Sequence, residues 1–362
     1  MAGLVFAGGG TGGHLFPGLA MAEDFRMRTA EIPITFIGTG RQLEQRVLKE
    51  TGYPLETIST TGLTNKRGFR KAGAFFKVVQ GIFESVFLLR RLRPSLVIGL
   101  GGYSSGPVGL AAYLMGIPLI LQEQNARPGL TNRWLARFAR AVLVSYDESL
   151  DYFPEGLAKV TGNPVRKPFL HCPDRRDPSM THVLITGGSQ GAHAINTVAP
   201  EAIRMMIMDH RAVRVTHQAG QEDLDLVRGA YENIGCEARV EAFIRDMAEA
   251  VSSADLVLGR AGATSLAEIA QVGRGAILIP YPFASHNHQE ENARVWEKRG
   301  AARVLLESEL SAESLAKVLD ELIGDRSRLL EMAVNARGLS RPNAVEDAVA
   351  ACLEYLPDDE TH

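Results

Sequence analysis

Short runs of apolar, β-branched residues alternate with longer stretches in which apolar positions recur every three or four residues, almost from end to end of the chain. The short runs predict strands at 3–7, 34–38, 96–100, 118–122 and 141–144, with helices between them. After the proline-bearing segment 161–168 (TGNPVRKP) the pattern restarts, with strands expected at 182–186, 213–217, 238–242, 255–258, 276–280 and 302–306. Alternation of this kind makes parallel sheets covered by helices on both faces. A weak internal echo favours two similar halves: each opens on a strand, a glycine turn (GGTGGH at 9–14, GGSQGAH at 187–193) and a helix. The expected fold class is therefore α/β, with two Rossmann-like domains facing a cleft. The first domain spans 1–160, the linker 161–168 and the second domain 169–340. Residues 341–362 add one more helix, started at Pro342 or Asn343 and able to pack back on the first domain. Chemistry in such a molecule belongs in the cleft, at the carboxyl ends of the strands.

Composition narrows the field without naming a reaction. The 362 residues, 45% hydrophobic and 22% charged, are ordinary globular material with room for two domains. A net charge of −3 gives no support for general nucleic-acid binding, so any basic surface must be local. Cys172, Cys236 and Cys352 are far apart and form no C-x-x-C, which suits reduced, mostly buried thiols in a cytosolic protein. No basic stretch precedes the first strand and no uncharged apolar run reaches about 20 residues, so neither a signal peptide nor a membrane span is expected.

The candidate chemistry lies in the turns. Gly8, Gly10 and Gly13 spell G-x-G-x-x-G, but a nicotinamide fingerprint also needs an acid at the end of the second strand to hold the ribose. That strand ends Gly38-Thr39-Gly40, and Glu44 lies one turn into the next helix. The letters match and the context fails. Three further glycine turns follow expected strands: LGGYSSGP at 100–107, GGSQGAH at 187–193 and GRAGATSLAE at 259–268. Glycines let backbone N–H groups approach an anion, and the helix that follows points its positive end at it. Four such turns, split across two halves, point to phosphorylated ligands. His286 and His288 form H-N-H beside Glu290 and Glu291, but lack the distant third ligand that a metal site needs.

The motifs GGTGGHLFPGLA, GGYSSGPVGLAA, QEQNARPGLTN, GNPVR, GGSQGAHAIN, HQAG and RAGATSLAEIA…LIPYPFASHNHQEENA, in this order from about residue 3 to 340, closely resemble those of the MurG family of peptidoglycan glycosyltransferases. The resemblance implies the GT-B fold and an inverting transfer of N-acetylglucosamine from UDP-N-acetylglucosamine to the 4-hydroxyl of N-acetylmuramic acid in lipid I, giving lipid II. It implies no cofactor and no D-x-D metal motif, so that DLD at 223–225 becomes a solvated helix face. It places the UDP-sugar mainly in the second half. There Glu268 takes the ribose hydroxyls, and Ala263, Thr264 and Ser265, with Leu266 and Ala267 beside them, meet the diphosphate. Ser189 sits over the diphosphate with help from Arg166, the backbone of Ile244 faces uracil, and Gln289 and Asn292 read the sugar. From the first half, Asn125 reaches the donor, Thr11, Gly12 and Gly13 close over donor and acceptor, and Tyr103 and Ser104 belong to the acceptor side.

The attacking hydroxyl must lose a proton while UDP leaves with its charge stabilised. His14 is the expected base because imidazole titrates near working pH, with Glu123 as the other candidate. A polyprenyl-linked acceptor also requires contact with membrane. Residues 64–93 are the richest basic and apolar stretch, in which Lys66, Arg67, Arg70, Lys71 and Lys77 precede or enter a helix carrying Phe75, Phe76, Val79, Ile82, Phe83, Val86 and Phe87. One edge of that helix is expected in the core, and the Phe76/Phe83 edge with the basic turn against anionic headgroups. The location implied is peripheral, on the cytoplasmic face of the inner membrane, where other cell-wall synthesis proteins are further possible partners and nucleic acid is not. The alternatives are a UDP-sugar 2-epimerase or hydrolase on the same fold, a nicotinamide enzyme, and a non-catalytic binding module.

Overall fold

The structure is a computed structural model that describes residues 3–29, 32–60, 69–177, 179–208, 213–232 and 234–356, with side chains of 69–75 left aside. Two compact units emerge. One runs to Arg166 and takes in the chain again from Arg341; the other is Lys167–Ser340.

The first unit contains β1 (Gly3–Gly8), α1 (Gly12–Arg28), β2 (Ile34–Gly38), α2 (Gln42–Thr51), β3 (Leu55–Thr57), α3 (Phe69–Leu92), β4 (Pro94–Gly101), α4 (Gly102–Leu114), β5 (Leu119–Glu123), α5 (Leu130–Leu135), β6 (Ala141–Val144) and β7 (Ala158–Val160). Its strands form one parallel sheet in the order β3-β2-β1-β4-β5-β6-β7. Alternate residues of β1 serve the two faces: Leu4 and Phe6 pack with Phe25 and Phe36, while Val5 and Ala7 pack with Val97, Val108 and Leu121. Residues 161–165 are buried in this unit rather than strung out as a connector.

The second unit contains α6 (Lys167–Leu170), β8 (Thr181–Thr186), α7 (His193–Met208), β9 (Val213–Gln218), α8 (Leu224–Glu232), β10 (Glu237–Glu241), α9 (Met247–Ser253), β11 (Leu256–Gly259), α10 (Ala263–Val272), β12 (Gly275–Leu278), α11 (His288–Lys298), β13 (Ala302–Val304), α12 (Ala312–Ile323) and α13 (Arg326–Gly338). The sheet order is β10-β9-β8-β11-β12-β13, again parallel. The last helix, α14 (Ala344–Leu353), starts after Asn343 and lies in the core of the first unit, where Ala348, Val349 and Cys352 join Leu4, Phe6 and Phe25.

Both sheets are α/β with helices on two faces, as the alternation predicts. Their strand orders reverse direction between β1 and β4 and between β8 and β11. In open parallel sheets such a reversal leaves a crevice at the carboxyl ends of the strands, where ligands bind. The four glycine turns follow these four strands. Of the three cysteines, Cys352 is buried, whereas Cys172 and Cys236 are half-buried, which corrects the expectation of mostly buried thiols. Burial pushes the Cys352 thiol far above its ordinary range.

Candidate active site

In the first unit the turns after β1 and β4 touch. A Cβ on Gly8 would lie 2.7 Å from the Gly101 carbonyl, so only glycine permits this approach. His14, in the first turn of α1, sits against the second turn: a Cβ on Gly101 would lie 3.2 Å from its Nε2. Its Nδ1 is 3.2 Å from the Thr11 hydroxyl, which fixes the ring's direction. Thr11 and Gly13 are exposed and Gly12 is half-buried beside them.

The turn after β1 already holds an anion belonging to the chain. Glu44, from α2, is buried, and its carboxylate accepts from the backbone N–H groups of Gly10 (2.5 Å), Thr39 (3.0 Å) and Arg41 (3.0 Å). Glu44 is thus the acid that the fingerprint lacked in sequence, but it satisfies loop backbone rather than a ribose.

Glu123 does not fit the role of base. Both its oxygens are buried and taken: Oε1 by the backbone and side-chain N–H groups of Asn125, each at 3.0 Å, and Oε2 by Gly129 N–H at 3.0 Å and Asn132 Nδ2 at 2.9 Å. A carboxylate holding four donors fixes the 125–132 loop and has no lone pair aimed at a substrate. Asn125 is therefore positioned by Glu123. Tyr103 is exposed on the first turn of α4, but Ser104 is 1% exposed, with a hydroxyl buried and unpaired, so it does not face an acceptor directly. The guanidinium of Arg166 lies 4.5 Å over the ring of Phe16, within the first unit.

Helix α3 covers the expected stretch from Phe69 onward. Phe76, Phe83 and Phe87 are 70%, 73% and 69% exposed, while Ser85, Leu88 and Leu89 are buried. The helix therefore has a packed edge and an aromatic edge. Glu84 is tied inward, accepting from Ser59 N–H. Lys66 and Arg67 lie outside the described residues, as do the side chains of Arg70, Lys71 and Phe75.

In the second unit Ser189 is exposed at the tip of the turn after β8. Ala263, Thr264 and Leu266 on α10 are buried, Ala267 is half-buried and Ser265 is exposed. Glu268, in the second turn of α10, is 6% exposed. Ile244 is 3% exposed and its N–H is taken by Gln218 Oε1 at 2.8 Å. Gln289 is half-buried at the start of α11, and its Oε1 accepts from Tyr281 N–H at 3.0 Å. Asn292 departs from expectation: its side chain is fully buried and Nδ2 donates to the Ala261 carbonyl at 3.1 Å, so it shapes the turn before α10 rather than reading a sugar. Asp223 is likewise more than a solvated helix face, since it accepts from Asn196 and His193, whose hydrogen bonds hold its carboxyl below the usual range. His286 and Asn287 both have left-handed backbones (φ 55° and 59°), and Asn287 caps α11. Among the described residues no group of three His, Cys, Asp or Glu side chains is disposed to hold a metal ion.

Sequence reasoning passed over Thr186, Gln218 and Asn132, and set Glu44 aside as lying too far into its helix. The available signal, at Thr186 and Gln218 only, was a polar residue at the last position of a strand.

The chain matches the glycosyltransferase family 28 N-terminal domain over residues 4–144 and the family 28 C-terminal domain over 182–348. It is 44% identical over 348 residues, 95% of this chain and 96% of the other, to the UDP-N-acetylglucosamine--N-acetylmuramyl-(pentapeptide) pyrophosphoryl-undecaprenol N-acetylglucosamine transferase of Geobacter metallireducens. Among solved structures it resembles Acinetobacter baumannii MurG, with a TM-score of 0.80 and 32% identity over 98% of this chain and all of that one. A Listeria monocytogenes protein described as a putative UDP-N-acetylglucosamine 2-epimerase shares the fold (TM-score 0.71) at 14% identity over 100% of this chain and 98% of its own, a likeness of fold alone. With both family domains matched in order and identity above 40% over nearly the whole length, the chain belongs to glycosyltransferase family 28, and within it to the MurG family.

Proposed function

We propose that the protein is an inverting hexosyltransferase that moves N-acetylglucosamine from UDP-N-acetylglucosamine to lipid I, producing lipid II for peptidoglycan synthesis. The observation that carries this reading is the 44% identity to the Geobacter metallireducens transferase over nearly the full length of both chains.

In this reading the second unit takes the donor. The ribose hydroxyls are held by Glu268, the diphosphate by the Ser189 turn and the start of α10 at Ala263–Ser265, uracil by the backbone carbonyl side of Ile244, whose N–H is held by Gln218, and the sugar by Gln289. Backbone N–H groups at a glycine turn and at a helix start are fixed dipoles aimed at the charge that grows on UDP as its bond to the anomeric carbon breaks. Arg166 adds a guanidinium whose planar fork of donors suits a phosphate. The first unit takes the acceptor. As the 4-hydroxyl oxygen bonds to the anomeric carbon from the open face, its proton passes to the His14 imidazole, which Thr11 orients. No step requires a metal. Mixing the protein with UDP-N-acetylglucosamine and a lipid I analogue in the presence of a chelator gives UDP and the disaccharide product; absence of transfer refutes the reading.

The acceptor's lipid brings the protein to the cytoplasmic membrane face as a peripheral partner. Phe76, Phe83 and Phe87 offer an exposed aromatic edge on α3, next in sequence to the basic residues 66–71. Amphipathic aromatic edges beside cations bind anionic bilayers. Phe83→Ser lowers co-sedimentation with anionic vesicles several-fold; unchanged sedimentation refutes this surface.

A further inference from the structure

Gln218 closes β9, and its side chain is 1% exposed beneath two of the segments assigned to the donor. Its Oε1 accepts from Ile244 N–H at 2.8 Å. Its Nε2 donates to the Gly188 carbonyl at 2.7 Å and to the Thr186 hydroxyl at 3.3 Å. The Thr186 hydroxyl accepts in turn from Gly188 N–H at 3.1 Å. One carboxamide therefore joins the turn after β8 to the segment after β10, across the strand that lies between them. Backbone packing reinforces the link: a Cβ on Gly191 would lie 2.0 Å from the Ala219 carbonyl oxygen, and one on Gly220 would lie 2.3 Å from that of Gln190. The bridge needs a donor and an acceptor on one short planar group. A carboxylate supplies only acceptors at pH 7, and a thioether supplies no donor.

We infer that Gln218 is a positioning residue that fixes the distance between the nucleobase-facing segment at Ile244 and the diphosphate-facing turn at Ser189. The two loops then recognise a uridine diphosphate as one rigid unit instead of a base and a phosphate separately. The inference rests on the donor reading above. Thr186 works on the phosphate side of the bridge alone, while Gln218 works on both.

The test titrates the full chain with uridine and with UDP, for the wild type and for Q218M, Q218E and T186V. Q218M, which loses both arms, weakens both ligands about tenfold, the loss expected when one buried hydrogen bond no longer holds a contact loop. Q218E keeps an acceptor for Ile244 N–H but loses the donor to Gly188, and the uncharged T186V loosens the same turn. Both therefore keep uridine within about twofold and lose about tenfold for UDP. In turnover, T186V raises KM for UDP-N-acetylglucosamine far more than it lowers kcat, a split that general loosening of the fold does not give. The inference is overturned if Q218M binds both ligands within about twofold of wild type, or if T186V and Q218E weaken uridine and UDP by the same factor. Failure of the wild type to bind UDP overturns the donor reading, and this inference with it.

Discussion

The glycine turns that open the two units look alike in sequence and differ in what supports them. Under the first turn lies a charge: Glu44 takes the N–H groups of Gly10, Thr39 and Arg41, and a Cβ on Gly9 would meet its Oε1 at 2.3 Å. Under the second lie neutral groups, Gln218 and Thr186, with Ser189 and Gln190 exposed above them. A carboxylate already seated on backbone donors repels a second anion at those donors, whereas a turn held by an amide leaves its dipoles for a ligand. Glycine spacing thus reports how closely backbone must approach something, and the supporting side chain reports what. This difference agrees with the proposal that the second turn, rather than the first, takes the diphosphate.

The largest effect that could break this comparison is on turnover. His14→Ala lowers kcat by about 10²- to 10⁴-fold, the range for loss of a general base, with little change in KM for the donor. Near-normal steady-state turnover would remove the first turn from the chemistry. Next, Glu44→Ala leaves buried backbone donors unpaired and destabilises the first unit by about 3 kcal/mol, read by denaturant unfolding. Glu44→Gln is milder because one acceptor oxygen remains. Gly191→Ala then tests the second turn: its φ of 79° and the Ala219 carbonyl beneath it leave no space for a methyl group. We expect a loss of about 2 kcal/mol together with weaker UDP binding, measured by calorimetry.

The smallest effect is on pH dependence. His217 precedes Gln218 on β9, its Nε2 hydrogen-bonded to Asn196, and burial lowers its pKa from 6.5 to about 4. The folded state therefore stays neutral where the unfolded chain takes up a proton. Stability is full above about pH 6.5 and falls as pH drops toward 4, by up to about 1.4 kcal/mol per pH unit. His217→Gln removes about 1 kcal/mol of the difference between pH 6 and pH 5, visible as a flatter profile of melting temperature.

Strands packed on both faces were legible because a buried parallel strand is a continuous apolar run; 34–38 and 141–144 have the expected bounds. The edge strands β3 (Leu55–Thr57) and β7 (Ala158–Val160) were not, being three residues long, without a fully buried position and interrupted by charge at Glu56 and Lys159. At the site, motifs gave chain positions but not side-chain directions. Ser104 at the start of α4, Glu123 at the end of β5 and Asn292 in α11 lie within the expected motifs and point inward, because a turn needs polar groups beneath it as well as above. Glu44 was visible one turn into its helix, yet its bond to Gly10 spans 34 positions and leaves no local pattern.

The return of α14 to the first core bears on the order of assembly. The second unit is an insertion: the chain leaves the first unit after Arg166 and re-enters it at Arg341. During synthesis the insert can complete its own sheet while the earlier half still lacks the surface supplied by Ala348, Val349 and Cys352. Domains generally fold as units, with the N-terminal one first. Here the half that leaves the ribosome first is finished last, and a chain stopped before Ala344 would leave α1 without the helix that packs against it.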